Sequence, residues 1–185
     1  LLELTGASGH WRQHAIAADG DIEFDAASAE IALRELRLRI GRNRLAIDGA
    51  AGNQLALEFE IDAPAIGEID ASLAGSVAGK GSVRGTPTAP MLDAELTATA
   101  LAAGDLRVDQ ASLRASVSPM AASTLTLDAA NMRSGDTALG NLTLKAAGTL
   151  AEHTVELDAG QGERLLLLRS RGHYVDGRID GVLNA

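Results

Sequence analysis

Apolar and polar residues alternate with a period of two along nearly the whole chain. Leu55-Ala56-Leu57-Glu58-Phe59-Glu60-Ile61-Asp62 is the clearest stretch. Successive side chains of an extended strand point to opposite faces. Leu55, Leu57, Phe59 and Ile61 therefore form one apolar stripe, and Glu58, Glu60 and Asp62 face water. The same alternation recurs to the C-terminus with Leu, Val, Ile and Ala as its apolar members. One face of a long sheet is oily, and left open it would form a chute for something apolar.

The pattern predicts strands near 10–17, 20–25, 29–40, 44–50, 54–62, 72–85, 91–101, 104–118, 123–130, 137–148, 152–160, 163–171 and 173–184. Turn signals separate them: Asp19-Gly20, Gly41-Arg42-Asn43, Asp48-Gly49, Gly52-Asn53, Ser134-Gly135-Asp136, Gly140-Asn141 and Asp176-Gly177. Their short spacing favours antiparallel neighbours, because parallel pairs need long crossovers. Ile31 and Leu33 can share a face with Leu36, Leu38 and Ile40 only if one extra residue bulges at Arg34-Glu35. A helix competes over 26–38, where Ala, Glu, Leu and Arg are good helix formers. The two-residue spacing after Leu36 favours a strand. One short helix is expected between Pro64 and Leu73, with Pro in a first turn.

The sequence also repeats at an offset of 31. Glu95-Leu96-Thr97-Ala98 matches Thr126-Leu127-Asp128-Ala129, Gly104-Asp105 matches Gly135-Asp136, and Leu113-Arg114-Ala115 matches Leu144-Lys145-Ala146. Such a period suggests stacked hairpin units rather than one compact core. About thirteen strands at ~4.8 Å would make a sheet roughly 60 Å long. A sheet of that length must curl or twist to cover its apolar face. The expected fold is all-β: one elongated, curled antiparallel sheet with at most one short helix.

Composition narrows the function. The chain has 185 residues and a formal net charge of −9. Nucleic acid is excluded as a partner, since phosphate binding needs a basic patch. The one basic run, Arg34, Arg37, Arg39, Arg42 and Arg44, reads as the solvated face of a strand and its turn. There is no cysteine, hence no disulfide and no Cys-based metal site. No stretch approaches the ~20 apolar residues of a membrane span, and no signal peptide is visible. The chain opens on Leu1-Leu2-Glu3 and stops inside a strand-like pattern at Ala185. It reads as one segment, residues 1–185, of a longer repetitive protein, cut at both ends. Its only aromatics are Trp11, Phe24, Phe59 and Tyr174. Aromatics normally carry much of a core's buried area, so their scarcity argues for an open or lipid-filled interior.

Candidate chemistry is thin. Asp19, Asp21, Glu23, Asp25 and Glu30 fall on EF-hand spacing, but Phe24 stands where the loop needs glycine. His10 and His14 would share a helix face, yet their segment looks like a strand. His153 and His173 are isolated in strands. Gly79-Lys80-Gly81-Ser82 lacks the order of a phosphate loop, and Gly75-Ser76-Val77-Ala78-Gly79 lacks that of a nucleophile elbow. Glycines 75, 79, 81 and 85 more plausibly relieve crowding in a curved strand. No nucleophile–base–orienter set can be assembled, so no catalytic residue, cofactor or metal is expected. The apolar stripes remain. Periodicity alone does not separate a dry sandwich core from an open groove.

The segment Ala78-Gly79-Lys80-Gly81-Ser82-Val83-Arg84-Gly85-Thr86-Pro87-Thr88-Ala89-Pro90-Met91-Leu92-Asp93-Ala94-Glu95-Leu96 resembles a recurrent signature of the TamB family. That signature runs Gly-x-Gly-x-apolar-x-Gly-Thr-x-x-x-Pro and leads into an alternating strand. Residues 41–49, 148–159 and 172–181 resemble it too, and the likeness covers most of the chain after Ala29. AsmA-like proteins share the style. The resemblance implies a β-taco, a long curled sheet with a continuous hydrophobic groove. It implies a periplasmic body held to the bacterial inner membrane by an N-terminal helix outside this chain, and a TamA-like partner in the outer membrane. It further implies phospholipid transport between the membranes and support of outer-membrane protein and autotransporter assembly.

On that reading acyl chains lie against Leu45 and Ile47, then Leu55, Leu57, Phe59 and Ile61. They continue past Leu96, Leu125 and Leu127, then Leu142, Leu144, Val155 and Leu157. Two rivals stand beside it. One is a chaperone-like module that holds unfolded outer-membrane protein strands by strand addition. The other is a plain structural spacer.

Overall fold

The computed structural model describes residues 2–149, 151–161, 164–175 and 178–184. It is a single antiparallel meander of thirteen strands in chain order. The strands are β1 (Leu2–Trp11), β2 (His14–Asp25), β3 (Glu30–Ile40), β4 (Asn43–Ala51), β5 (Leu55–Ala63), β6 (Leu73–Thr86), β7 (Ala89–Ala103), β8 (Leu106–Val117), β9 (Ser123–Ser134), β10 (Thr137–Gly148), β11 (His153–Gln161), β12 (Arg164–Val175) and β13 (Arg178–Asn184). The connections are short enough to return each strand beside the last. Only residues 64–72, between β5 and β6, are longer; they hold a 3₁₀ turn at Ile66–Glu68. The sheet curls without closing into a barrel, and β1 and β13 form its two edges.

Two expectations at the ends are corrected. The span 10–17 is not one strand. Arg12 and Gln13 take φ of 55° and 109° and form a tight hairpin, with Trp11 paired to His14. The strand before it, β1, has no counterpart in the sequence reading. At the other end β12 runs unbroken through Gly172 to Val175, so no strand boundary falls there. The Asp176-Gly177 turn signal lies outside the described residues.

Three turn signals are corrected too: Asp19-Gly20, Asp48-Gly49 and Gly140-Asn141 lie inside β2, β4 and β10, where they serve the strand and not a turn. Elsewhere the period-two reading holds. Residues 30–40 are a strand, not a helix, and the short helix is the 3₁₀ turn after Pro64. The bulge sits where the phase shift required it. Pairing between β3 and β4 jumps from Leu33 to Leu36, and Glu35 has φ 50°. Its amide would be left without a ladder partner, and it donates instead to Asp48 Oδ2 at 3.0 Å. The 31-residue repeat has a backbone counterpart. Ala100 and Asn131 bulge with φ of 50° and 53°, and Gly104 and Gly135 turn with φ of 57° and 56°. Asn131's amide is likewise taken by a side chain, Asn141 Oδ1 at 3.0 Å.

Glycine is required at particular places along β6. Gly75 has φ 108°, and a Cβ there would lie 2.6 Å from the carbonyl oxygen of Ala100. The Ala100 bulge is thus accommodated by a strand that has no side chain opposite it. A Cβ on Gly81 would lie 2.5 Å from Phe59 Cζ. The phenyl ring of β5 covers the gap that Gly81 leaves in the sheet surface.

All substantial packing is between strands adjacent in sequence, or between β6 and the 3₁₀ turn. Among the described residues no large side chain is fully buried. The buried hydrophobic residues are Leu36, Ala63, Ala94 and Val108. A two-layer sandwich would have buried its large aliphatic residues first. The fold is one curled layer.

The candidate groove face

Strand register turns the alternation into rows that cross the sheet. Leu38, Leu45, Ile61, Gly79, Leu96, Leu113, Leu127, Leu144, Leu157 and Leu168 stand opposite one another in succession from β3 to β12. Ten strands contribute ten residues, and only Gly79 lacks an aliphatic side chain. A second row runs beside it through Leu36, Ile47, Phe59, Gly81, Ala94, Ala115, Leu125, Ala146 and Val155. Leu57 belongs to a third row with Leu33, Val83, Leu92 and Val117. Leu142 belongs to a fourth, beside Ala129 and Ala159, and Leu55 stands opposite Ala51 and Gly85.

All thirteen expected groove residues therefore fall on one face, and each is half-buried. Neighbours within a row cover part of each side chain. The sequence reading missed Leu38, Leu113 and Leu168, which complete the leucine row. Leu38 alternates with Leu36 and Ile40, and Leu113 with Ala111 and Ala115, so their signal was present though no residue of β3 or β8 was assigned to the groove. Which residues align across strands depends on turn lengths and bulges and is not written in any one strand. At the lower margin of this face, Pro90, Val117, Pro119, Leu125, Ala146 and Val155 line a cleft of about 470 Å³.

The opposite face is charged. Its central row reads Arg37, Ala46, Glu60, Lys80, Glu95, Arg114, Thr126, Lys145, Glu156 and Arg169. Arg114 meets Glu95 at 3.6 Å and Arg169 meets Glu156 at 3.4 Å. These pairs are exposed and contribute little stability individually. Together they keep this face in water. A cleft of about 640 Å³ lies among Arg37, Asp48, Glu58, Glu60, Lys80 and Glu95. It is a pit where short Ala46 and Ser82 stand between long charged neighbours.

The other sequence candidates have structural places. Glu23 pairs with Arg34 at 3.0 Å. Asp25 accepts from Ser28 Oγ at 2.7 Å and from the Ala27 amide at 2.9 Å, and these bonds hold its carboxyl below the usual aspartate range. His10 and His14 lie on opposite arms of the β1–β2 hairpin. Gly79-Lys80-Gly81-Ser82 is interior to β6 and paired on both sides. All five arginines of the basic run are exposed. Arg37, Arg42 and Arg44 are paired with Glu35, Glu68 and Asp62.

One polar cluster was not foreseen. Asn43 is 3% exposed. Its Nδ2 donates to Ile40 O at 3.1 Å and Ala65 O at 2.9 Å, and its Oδ1 accepts from the Ala65 amide at 3.0 Å. Glu68 accepts from the Arg42 amide and from Arg42 Nε, each at 2.7 Å. The Arg42 amide and then its guanidinium hold the Glu68 carboxyl below the ordinary glutamate value. Asp70 is held low by the Ser72 amide and hydroxyl. An asparagine just after a Gly-Arg turn carries no mark of a partner 22 residues away.

The chain is a single curled antiparallel sheet, not closed into a barrel, with an aliphatic row on one face and charge on the other. A family model described as TamB, N-terminal domain, matches residues 2–183, and the chain belongs to this family. The family is a membrane-associated, inner-membrane-anchored periplasmic transport and assembly module with a TamA-like outer-membrane partner, and is not known as a family of enzymes. No solved structure matches the chain significantly. Among the described residues no helix is long and apolar enough to cross a membrane.

Proposed function

We propose that this chain is a length of conduit for phospholipid. Acyl chains lie along the leucine row while head groups stay in water at the margins of the sheet. The single observation that supports this reading is the row itself: aliphatic positions succeed one another from β3 to β12 with no second layer over them. Burial of each methylene is worth ~0.8 kcal/mol. Because one strand's contribution resembles the next, a chain moving by one strand spacing exchanges like contacts for like. That favours sliding over trapping. Family membership supports the setting: a periplasmic segment of an inner-membrane-anchored protein, working with a TamA-like outer-membrane partner in membrane assembly and autotransporter secretion.

A photoreactive residue tests it directly. Placed at Leu127, it should crosslink phospholipid, and placed at neighbouring Asp128, on the charged face, it should not. Equal lipid labelling at the two positions would end the conduit reading. Crosslinks from Leu127 to unfolded outer-membrane protein in place of lipid would give the face to protein clients instead.

A further inference from the structure

Residues 64–72 do not turn straight from β5 into β6. They reach back to the ends of the first two strands and are fastened there. Ile69 O accepts from Trp11 Nε1 at 3.0 Å, and Asp70 meets Arg12 at 3.6 Å. Asn43 holds Ala65 through both its donor and its acceptor, and Glu68 is held by Arg42.

These fastenings lie on the apolar side. Asn43 shares the alternation of Leu45 and Ile47. Ala63, at 6% exposure, shares that of Phe59 and Ile61. Trp11 is register-paired with His14, which alternates with Ile16 and Ala18. Asn43 is buried where it bonds Ala65 of this segment, at the upper end of a face that is otherwise mostly half-buried.

Reach makes the arrangement informative. In a flat sheet β1 and β6 stand five spacings apart, about 24 Å. Leu73 N donates to Asp70 O at 3.0 Å, a turn that keeps Asp70 within about 7 Å of the start of β6. Arg12 and Asp70 stretched end to end in one line would barely span the rest. The Asp70 carboxylate instead folds back onto Ser72, at 3.0 and 2.9 Å. The upper ends of the strands are therefore drawn together over the apolar side.

We propose that residues 64–72 are a clasp. It holds the upper margin of β1–β6 curled over the oily face and bars an acyl chain from leaving sideways there. The corresponding margin at β7–β8 and β9–β10 is turned by two residues in each case and carries no such cover. The curling role stands on the contacts alone; the barrier role rests on the conduit reading.

The chain has no cysteine and a single tryptophan, so a reducible clasp with a built-in reporter can be made. In Asn43→Cys/Ala65→Cys a disulfide replaces the asparagine bonds. Loss of free thiol on oxidation checks that the link has formed. Reduction leaves neither link. Loss of three hydrogen bonds should shift the closed-to-open ratio roughly a hundred-fold. Oxidised protein should match wild type in acrylamide quenching of Trp11 and in retention of a fluorescent phospholipid. Reduced protein, still β-sheet by circular dichroism, should show stronger quenching and lose the lipid. Glu68→Gln, which spares Asn43, should move both readouts in the same direction by less.

Equal Trp11 quenching in the oxidised and reduced forms, with Glu68→Gln also unchanged, would overturn the clasp. Stronger quenching with lipid fully retained would overturn its barrier role. Failure of the wild-type chain to retain any phospholipid would refute the conduit reading, and with it the barrier role. The quenching comparison would still decide whether the clasp holds the curl.

Discussion

Leu127→Asp places a carboxylate midway along the leucine row, between Leu113 and Leu144. Full burial of a leucine is worth ~1.5–3 kcal/mol, and this one is half-buried, so removing it should cost about 1 kcal/mol. The charge adds a modest desolvation cost, because the position is only half-buried. The total, about 1–2 kcal/mol, leaves a domain of ordinary stability folded. On the conduit reading, the effect on a passing acyl chain is larger. If about three methylenes lose their apolar contact at that step, the local barrier rises by about 2.4 kcal/mol, a slowing of roughly 50-fold. Thr126→Asp is the matched control. It lies one residue away on the charged face, between Arg114 and Lys145, where a carboxylate gains neighbours of opposite sign. Both variants should keep the wild-type far-ultraviolet spectrum. In a transfer assay between donor and acceptor vesicles with a fluorescent phospholipid, Thr126→Asp should behave as wild type and Leu127→Asp should be slow. Equal transfer by the two folded variants would refute the reasoning, since it would mean that the face on which the charge sits does not matter.

Two further outcomes follow from local structure. Ala100 holds φ 50° at its bulge, which costs a side-chain-bearing residue ~1–2 kcal/mol. Ala100→Gly should recover up to ~1 kcal/mol and raise the melting temperature by about 2–4 °C, whereas Asn131→Val, at φ 53°, should lower it in the same scan. The Glu68 carboxyl is held below its ordinary value by the Arg42 amide and guanidinium. Its contribution is fully present above the unfolded value of ~4.3 and is lost as pH falls through the lower folded value. Trp11 emission should therefore report acid loosening of the clasp, and Glu68→Gln should abolish that part of the titration.

Much of the fold was legible because the signals were local. Period two named the strands, the signals at Gly41, Gly52 and Gly135 named turns, and a single phase slip located the bulge at Glu35. The first hairpin was not legible because Arg12 and Gln13 adopt positive φ without the usual Gly or Asn. The groove residues could be assigned to a face one strand at a time. Their alignment into one row could not, because it depends on hairpin lengths and on bulges at Gly20, Glu35, Ala100 and Asn131. The clasp was the least legible. Its fastenings are single polar residues 22 to 58 positions from their partners, and nothing in their neighbourhoods distinguishes them from solvent-facing turns.

Apart from the clasp at residues 64–72, each strand leans on the one before and the one after, so the architecture has no preferred size. Adding or deleting a hairpin lengthens or shortens the molecule and leaves the local geometry of the remaining strands intact. The 31-residue repeat, which returns Leu96 to Leu127 and Leu113 to Leu144 in the same row, is such an increment. A protein built this way can be fitted to the distance it must cover by counting units, without redesign of any one of them.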